Sequence, residues 1–221
     1  MVRASNHWRF KPGSFDSLHF NQIFESGNKY NIPYLKKGNV IDCDFIPVNR
    51  VLHGNGKGIH CFVEDYYLER FWKRPEVYIK YLKNAKCFFT PDFSLYIDMP
   101  LSMQIWNTYR NRWIGRYFQD NRVNVIPSIS WSDERSYEFC FSGVEIGSIV
   151  AISTVGAYRT DNSLFKEGFE QMVEVVRPKL IYVYGEETID ATQITQINIP
   201  PFHKQMRERI KQKLNRGMNC V

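Results

Sequence analysis

The chain has 221 residues, of which 43% are hydrophobic and 15% aromatic, and a formal net charge of +6. This apolar content excludes an intrinsically disordered chain and is sufficient for the core of one domain. No apolar run approaches the roughly 18 residues that a membrane helix needs. The first residues lack the apolar stretch of a signal peptide, so we expect a cytoplasmic protein without a membrane partner.

The positive charge is concentrated at the two ends of the chain. Residues 1–58 carry 8 Lys or Arg and 4 Asp or Glu, and residues 200–221 carry 6 and 1, whereas residues 59–199 carry 15 and 18. Basic ends of this kind favour contact with nucleic acid or an acidic protein, although they also serve solubility. The candidate contact residues lie in a basic C-terminal helix: Lys204, Arg207, Arg209, Lys211 and Lys213.

The chain divides into three predicted parts. Residues 1–57 are broken by Gly and Pro yet rich in aromatic side chains, so we expect a basic segment packed on the body. Residues 58–187 form an α/β body, and residues 188–221 a polar linker followed by a basic amphipathic helix. The five cysteines are scattered and lack zinc-ligand spacing, which indicates reduced thiols.

Short apolar runs alternate with helical segments through the body. Strands are predicted at 59–63, 87–89, 123–129, 149–152 and 180–184, with a shorter one within 40–46 and another within 137–141. About five βα units with a mainly parallel sheet follow from this alternation. The predicted fold is therefore α/β and partly or irregularly barrel-like. An open doubly wound sheet is the alternative, but no Gly-x-Gly-x-x-Gly follows the first strand.

The helix that follows Pro100 carries one apolar and aromatic stripe. Its members recur every four residues: Leu101, Ile105, Tyr109, Trp113 and Tyr117. This spacing predicts that the stripe faces the core, while Arg110, Arg112 and Arg116 lie largely elsewhere.

Several separated motifs carry a resemblance to a known family. They are TPDFSLY at 90–96, DMP at 98–100, WNTYRNRW at 106–113, PSISW at 127–131, ISTVG at 152–156 and VYG at 183–185. These motifs resemble a domain-of-unknown-function family of bacteria, their phages and integrating mobile elements. The resemblance covers residues 58–186 and implies a phage or mobile-element setting. It implies no mechanism.

Polar residues gather where the predicted strands end. Carboxyl ends of parallel strands share one edge of the sheet, so these side chains are expected on one rim. The candidates are Glu64, Asp65, Asp92, Ser94, Ser128, Ser130, Trp131, Ser153, Thr154, Tyr184 and Glu186. Asp65 and Asp92 follow consecutive strands and can act as a general acid and base, or hold Mg²⁺ or Mn²⁺. The alternative is that Asp92 only caps a turn.

The remaining polar candidates also keep two interpretations. The hydroxyl groups of Ser94, Ser128, Ser153 and Thr154 can bind phosphate or sugar, or can serve as caps and turns. Trp131 can stack on a base or sugar, or pack in the core. His60 lies inside the first predicted strand, so we expect it to be packed or hydrogen-bonded there.

Two functional hypotheses follow. The first is a phage or mobile-element accessory protein that binds nucleic acid or a host or replication protein, with no cofactor. The second is a hydrolase-like enzyme acting on a nucleotide, nucleic acid or other phosphate- or sugar-bearing substrate through Asp65 and Asp92. An open polar cleft at the rim would favour the enzyme, whereas a filled rim would favour the binding protein.

Overall fold

The computed structural model of the chain describes residues 22–155, 162–185, 189, 194–207 and 210. Within these residues the strands are β1 (Phe45–Pro47), β2 (Gly58–His60), β3 (Cys87–Phe89), β4 (Val125–Ile126), β5 (Ile149–Ser153), β6 (Leu180–Tyr184) and β7 (Thr195–Ile199). The α-helices are α1 (Asp65–Lys73), α2 (Ile79–Leu82), α3 (Leu101–Asp120), α4 (Glu134–Cys140) and α5 (Asn162–Val176). Short 3-10 helices lie at Val48–His53 and Pro75–Tyr78.

All strand pairs are parallel, and the strands follow chain order. β1 to β4 form one sheet and β5 to β7 a second. A single parallel bridge between Ser128 and Ala151 connects the two. At this bridge the Ile129 backbone N–H donates to the Ala151 carbonyl at 2.8 Å. The seven strands therefore run as one interrupted parallel sheet.

This sheet curls until its early and late strands face each other. The rings of Phe45 on β1, Phe89 on β3 and Tyr182 on β6 lie 5.1 to 5.5 Å apart, centroid to centroid. The Tyr182 hydroxyl also donates to the Ile41 carbonyl at 2.7 Å. No strand pairing closes the curl between β1 and β7 in the described part of the chain. The architecture is a partial, irregular barrel, which confirms the predicted fold class.

The helices cover only the outer face of the sheet. Alternate strand residues point outward into two cores, one under α1 to α3 and the other under α4 and α5. The inner core is built from strand residues and the segments that adjoin them. Strands that are buried on both faces read as continuous apolar runs. The helices thus lie on one side, unlike those of a doubly wound sheet.

Two local predictions were wrong, and a third was right only in part. Residues 137–141 lie largely in α4, where the Asp133 side chain caps the N-terminus by accepting from the Arg135 backbone N–H. The supposed polar linker contains β7, whose alternate residues Ile197 and Ile199 face the inner core while Gln196 and Asn198 face away from it. An alternating strand of this kind has a low mean hydropathy and was therefore overlooked.

The third prediction, for α3, was right for most of the stripe, because Ile105, Tyr109, Trp113 and Tyr117 pack on the apolar cores, whereas Leu101 is 39% exposed. It was wrong for Arg110 and Arg112, which are buried. The buried residues of α3 are mainly polar, namely Gln104, Asn107, Thr108, Arg110, Asn111 and Arg112, together with Trp113, Ile114, Gly115 and Phe118. A buried polar face requires partners for its side chains, and those partners lie at the strand ends.

The described cysteines form no disulfide. Among the residues that the structure describes, no helix has the length and apolar character that crossing a membrane requires.

Candidate functional site

An open cleft of about 590 Å³ lies at the carboxyl ends of β3, β4 and β5. It is lined by Asp92, Ser94, Leu95, Tyr96, Ile97, Asp98, Ile129, Ser130, Trp131, Ser132, Ser153, Val155, Leu164 and Phe165. The lining combines hydroxyl and carboxyl groups with aromatic and aliphatic side chains. Such a combination is typical of pockets for small ligands, which occur at this end of parallel sheets.

Asp92 is the most perturbed acidic group of the cleft. It follows β3 by three residues, and its Oδ1 atom is buried without a hydrogen-bond partner among the described residues. The pKa of Asp92 is raised to about 7, chiefly by burial and in smaller part by the nearby charge of Asp65, although the Ser130 hydroxyl and the Arg112 charge act in the opposite direction. At neutral pH this carboxyl group therefore exists in both protonation states.

Asp65 lies close to Asp92 but has a different set of contacts. Its Oδ1 and Oδ2 atoms both accept from the Ser94 backbone N–H at 3.2 Å, and Oδ1 accepts from the Ser94 hydroxyl at 2.9 Å. Asp65 is not part of the cleft lining. Its carboxylate holds the loop that carries Ser94, and its charge raises the pKa of Asp92.

The polar face of α3 supports the strand ends from the opposite side. The Asn107 amide donates to the Ser94 carbonyl at 2.8 Å, and the Asn111 amide donates to the carbonyls of Pro91 at 2.7 Å and Ser128 at 3.3 Å. These bonds connect the segment after β3 with the segment after β4. They fix the two stretches that carry Asp92 and Ser130.

Arg112 lies deeper on the same helix and is 1% exposed. Its guanidinium donates to the carbonyls of Ser142 at 3.1 Å, Ser128 at 2.9 Å and Cys140 at 2.9 Å, and to the Asn111 side-chain oxygen at 2.5 Å. Burial lowers the pKa of Arg112 to about 10, so the side chain stays charged at neutral pH.

The other rim candidates occupy different positions. Ser94, Ser153 and Trp131 line the cleft, and the Ser153 hydroxyl accepts from the Val155 backbone N–H at 3.1 Å. Ser128 is fully buried and lies outside the cleft. Thr154 is also buried, and its hydroxyl donates to the Tyr184 carbonyl at 3.4 Å, which is a contact within the fold.

Trp131 is held against α5 at the side of the cleft. Its ring centroid lies 5.3 Å from that of Phe165, and its indole lies so close to Gly168 that a β-carbon there would overlap Nε1. Gly168 therefore provides the space in which the indole sits.

The remaining predicted residues belong to the C-terminal part. Lys204 is partly exposed and Arg207 is exposed on a helical segment at 202–207. Phe202, at its start, packs on the core below α1 to α3, and the Arg50 guanidinium lies 4.8 Å from its ring centroid. Glu186, Arg209, Lys211 and Lys213 lie outside the described residues.

The carboxylates do not form a suitable divalent metal site. Within the described ranges, no three His, Cys, Asp or Glu side chains are grouped so that they could hold a metal ion. Mg²⁺ prefers several oxygen ligands, including ionised carboxylates. Both Asp65 oxygens already accept from Ser94.

Sequence reasoning placed Ser130 on the rim but overlooked the supports provided by α3 and Gly168. The amides of Asn107 and Asn111 lie four residues apart, which places them on one face of a helix. A second signal was that Asn107 and Asn111 both lie within the Trp106–Trp113 motif. Gly168 lies inside a helix, where glycine is unfavourable unless packing requires it.

Comparisons with known proteins agree with the motif resemblance. The model of the family described as "Domain of unknown function (DUF4417)" matches residues 24–200. The "Gene 1 protein" of Mycobacterium phage L5 is 37% identical over 192 residues, covering 84% of this chain and 84% of the phage protein. The "Gene 1 protein" of Mycobacterium phage D29 is 34% identical over 191 residues, covering 83% of this chain and 71% of the phage protein. No solved structure matches the chain.

The expected phage connection is thus supported by two relatives that are themselves phage proteins. The family match spans the curled sheet, the cleft and the supporting face of α3. The chain belongs to the DUF4417 domain family.

Proposed function

We propose that the protein is an enzyme in which Asp92 exchanges a proton with a small molecule bound in the cleft. One observation carries this proposal: a carboxyl group with a pKa of about 7 and a buried, unpartnered Oδ1 lies in the wall of an open 590 Å³ cleft. A general acid–base group works best when its pKa is close to the working pH. Perturbed carboxyl groups in clefts are typical of active sites.

The chemistry that fits is a hydrolase-like reaction. As its carboxylate, Asp92 takes a proton from a water molecule or hydroxyl group that attacks the substrate. As its acid, it returns that proton to the leaving group, so that no net proton is consumed. The hydroxyl groups of Ser94, Ser130 and Ser153 can bind the polar part of the substrate, and Trp131 can contact a ring.

Ligand-observed NMR tests binding directly, with monosaccharides, nucleosides and nucleotides as probes at pH 6 and pH 8. Any probe that binds is then incubated with the protein and followed for bond cleavage. We expect Asp92→Asn to abolish cleavage while the variant stays folded. Asp98→Asn provides the matched control, because Asp98 lines the same cleft but is exposed. Equal cleavage by Asp92→Asn and the wild type would exclude the proposed role.

A second candidate function is binding of nucleic acid or of an acidic host or replication protein by the basic ends. Its support is the charge of residues 200–221, with 6 Lys or Arg against 1 Glu, and the exposed Arg207 at the end of the described helical segment. Phosphate contacts by such a segment would release counterions, so affinity would fall steeply with salt.

The structure indicates how to test this second candidate without damaging the body. Pro201 is buried and Phe202 packs on the core, so a truncation should retain both and remove residues 208–221. We expect the truncated protein to keep its melting temperature and to lose affinity for a fluorescent DNA oligomer in low salt. Retention of full affinity would argue against the basic tail, and a salt-insensitive complex would argue against phosphate contacts.

A further inference from the structure

A small polar cavity, lined mainly by buried residues, adjoins the cleft. Its volume is about 10 Å³, and it is lined by Phe93, Leu95, Asn107, Thr108, Asn111, Arg112, Ser128, Ser130 and Cys140. Leu95 and Ser130 line the open cleft as well. The cavity and the cleft therefore share a wall, and Ser130 is the polar residue in that wall.

The cavity has the size and the polarity that a single water molecule requires. A water needs roughly 10–15 Å³ of such volume and two to four polar partners. The Ser128 hydroxyl is fully buried and has no hydrogen-bond partner in the described part of the chain. Asn107, Asn111 and Arg112 supply further polar groups from α3.

Arg112 brings a buried positive charge to this cavity. Its contacts are with three carbonyl oxygens and one amide oxygen, and among the described residues no carboxylate forms an ion pair with it. A buried cation is costly unless hydrogen bonds and an opposite charge compensate it. Burial lowers the pKa of Arg112, whereas Cys140 and the Asp92 charge act in the opposite direction, so Arg112 and Asp92 interact electrostatically.

We propose that one water molecule occupies this cavity and, with Ser130, connects the Arg112 guanidinium to Asp92 through a hydrogen-bonded relay. The inference rests on the proposed role of Asp92 and explains how its carboxylate form is stabilised. Arg112 remains a cation throughout and transfers no proton. Arg112 and Ser130 are positioning residues, because both act through Asp92.

The groups around Asp92 determine its pKa, which the relay would lower. Asp65, on α1, opposes ionisation, whereas Arg112, on α3, and Ser130, after β4, favour it. Cys61, after β2, is buried and close enough for the Asp92 charge to raise its pKa. Burial and the Asp65 charge both raise the pKa of Asp92, and loss of the relay would remove part of what opposes them.

The pKa of Asp92 can be measured in the ligand-free, full-length protein by following its carboxyl carbon by NMR. Ser130→Ala removes the hydroxyl in the shared wall, and we expect the pKa to rise by about one pH unit, since hydrogen bonds to a charged group are the stronger ones. Ser128→Thr retains a hydroxyl and adds a methyl group to a cavity that holds one water. This variant should displace the water and raise the Asp92 pKa as well.

Ser132→Ala is the matched control. The Ser132 hydroxyl donates to the Gln104 side-chain oxygen at 2.7 Å, and Ser132 lines the cleft but not the cavity. Its removal should leave the Asp92 pKa unchanged. Arg112→Lys keeps the positive charge but loses the planar guanidinium group. If Arg112→Lys folds, the pKa of Asp92 should rise less in it than in Ser130→Ala.

Rotating-frame cross-peaks between water and protein protons test the water itself. The wild type should show a long-lived water near the Thr108 and Asn111 side chains, and Ser128→Thr should lose it. The relay is overturned if no such water exists, or if Ser130→Ala has the wild-type Asp92 pKa. These experiments use no ligand, so they test the relay separately from the proposed function. The relay can fail while ligand binding and cleavage still support the role of Asp92. Equally, the relay can be found in a protein that shows no cleavage. If Ser128→Thr does not fold, Ser130→Ala and the wild-type water signal decide.

Discussion

Asp65 and Ser94 form a clamp in which one carboxylate accepts both the backbone N–H and the hydroxyl of the serine, at 3.2 and 2.9 Å. The clamp ties the first residue of α1 to the loop that follows β3 and forms the cleft wall. The acidic residue that sequence reasoning paired with Asp92 is thus part of the loop's support.

Breaking the clamp should destabilise the protein and loosen the cleft. We expect Asp65→Ala to lower the free energy of unfolding by about 1–3 kcal/mol, because it leaves a backbone N–H without its charged acceptor. Ser94→Ala keeps the backbone bond and should cost less. Urea denaturation of both variants and of the double mutant measures the coupling between the two residues. Additive effects would show that the clamp contributes nothing specific.

Two buried titratable groups should give the protein opposing pH dependences. Burial lowers the pKa of His60 to about 3, and its ring centroid lies 4.5 Å from that of Tyr184 inside the curl. Between about pH 3 and 6.5 the unfolded state binds a proton at His60 that the folded state does not, so this residue makes stability rise with pH. Asp92 has a raised pKa of about 7, so the folded state holds the extra proton there and stability falls with pH between about 4 and 7.

In the wild type the two slopes should oppose each other where their pH ranges overlap, between about pH 4 and 6.5, and single substitutions should reveal each of them. Relative to the wild type, Asp92→Asn should gain stability as the pH rises from about 4 to 7, by at most about 1.4 kcal/mol per pH unit. His60→Phe should instead gain stability relative to the wild type as the pH falls below about 6.5. Denaturation at several pH values tests both. Parallel stability curves for the wild type and Asp92→Asn would mean that Asp92 titrates normally.

Removal of the Arg112 side chain should be severely destabilising. Arg112→Met leaves the carbonyls of Ser128, Cys140 and Ser142 without their charged donor, and we expect a loss of about 3 kcal/mol or more. Arg74→Met is the control, since the Arg74 side chain is 74% exposed and, in the part of the chain that the structure describes, its ion-pair partner is Glu76, at 3.4 Å. An exposed pair of this kind contributes about 1 kcal/mol or less. Thermal melts that rank the two variants equally would contradict the supporting role of α3.

A methyl group at Gly168 should disturb the cleft through Trp131. Alanine is favoured over glycine in a helix by about 1 kcal/mol, so propensity alone predicts that Gly168→Ala stabilises α5. The added β-carbon would overlap the Trp131 indole, and overpacking of this kind typically costs about 1–3 kcal/mol. We expect net destabilisation and a shift of Trp131 fluorescence. Gly27→Ala, where no atom lies within 4 Å of the new carbon, should be neutral.

The parallel α/β body was predictable because its strands are buried on both faces. Such strands read as unbroken apolar runs, and β3 and β6 were located with their observed bounds. β7 was missed because its outward residues are polar, and α4 because its aromatic residues also suit a strand. Local patterns identify an element when every residue agrees with it, and they fail when one face is polar.

The sequence by itself determined that Asp92 and Ser130 follow strands and therefore lie at one edge of a parallel sheet. Only the tertiary structure decided what they do there. In the folded molecule Asp92 Oδ1 is buried, burial raises the pKa of that carboxyl group, and Arg112 on α3 lies close enough for its charge to act on it. The spacing of residues along the chain predicts the side of a strand or helix on which each side chain lies. The burial of a side chain and the charges near it depend on elements that come together only in the folded molecule.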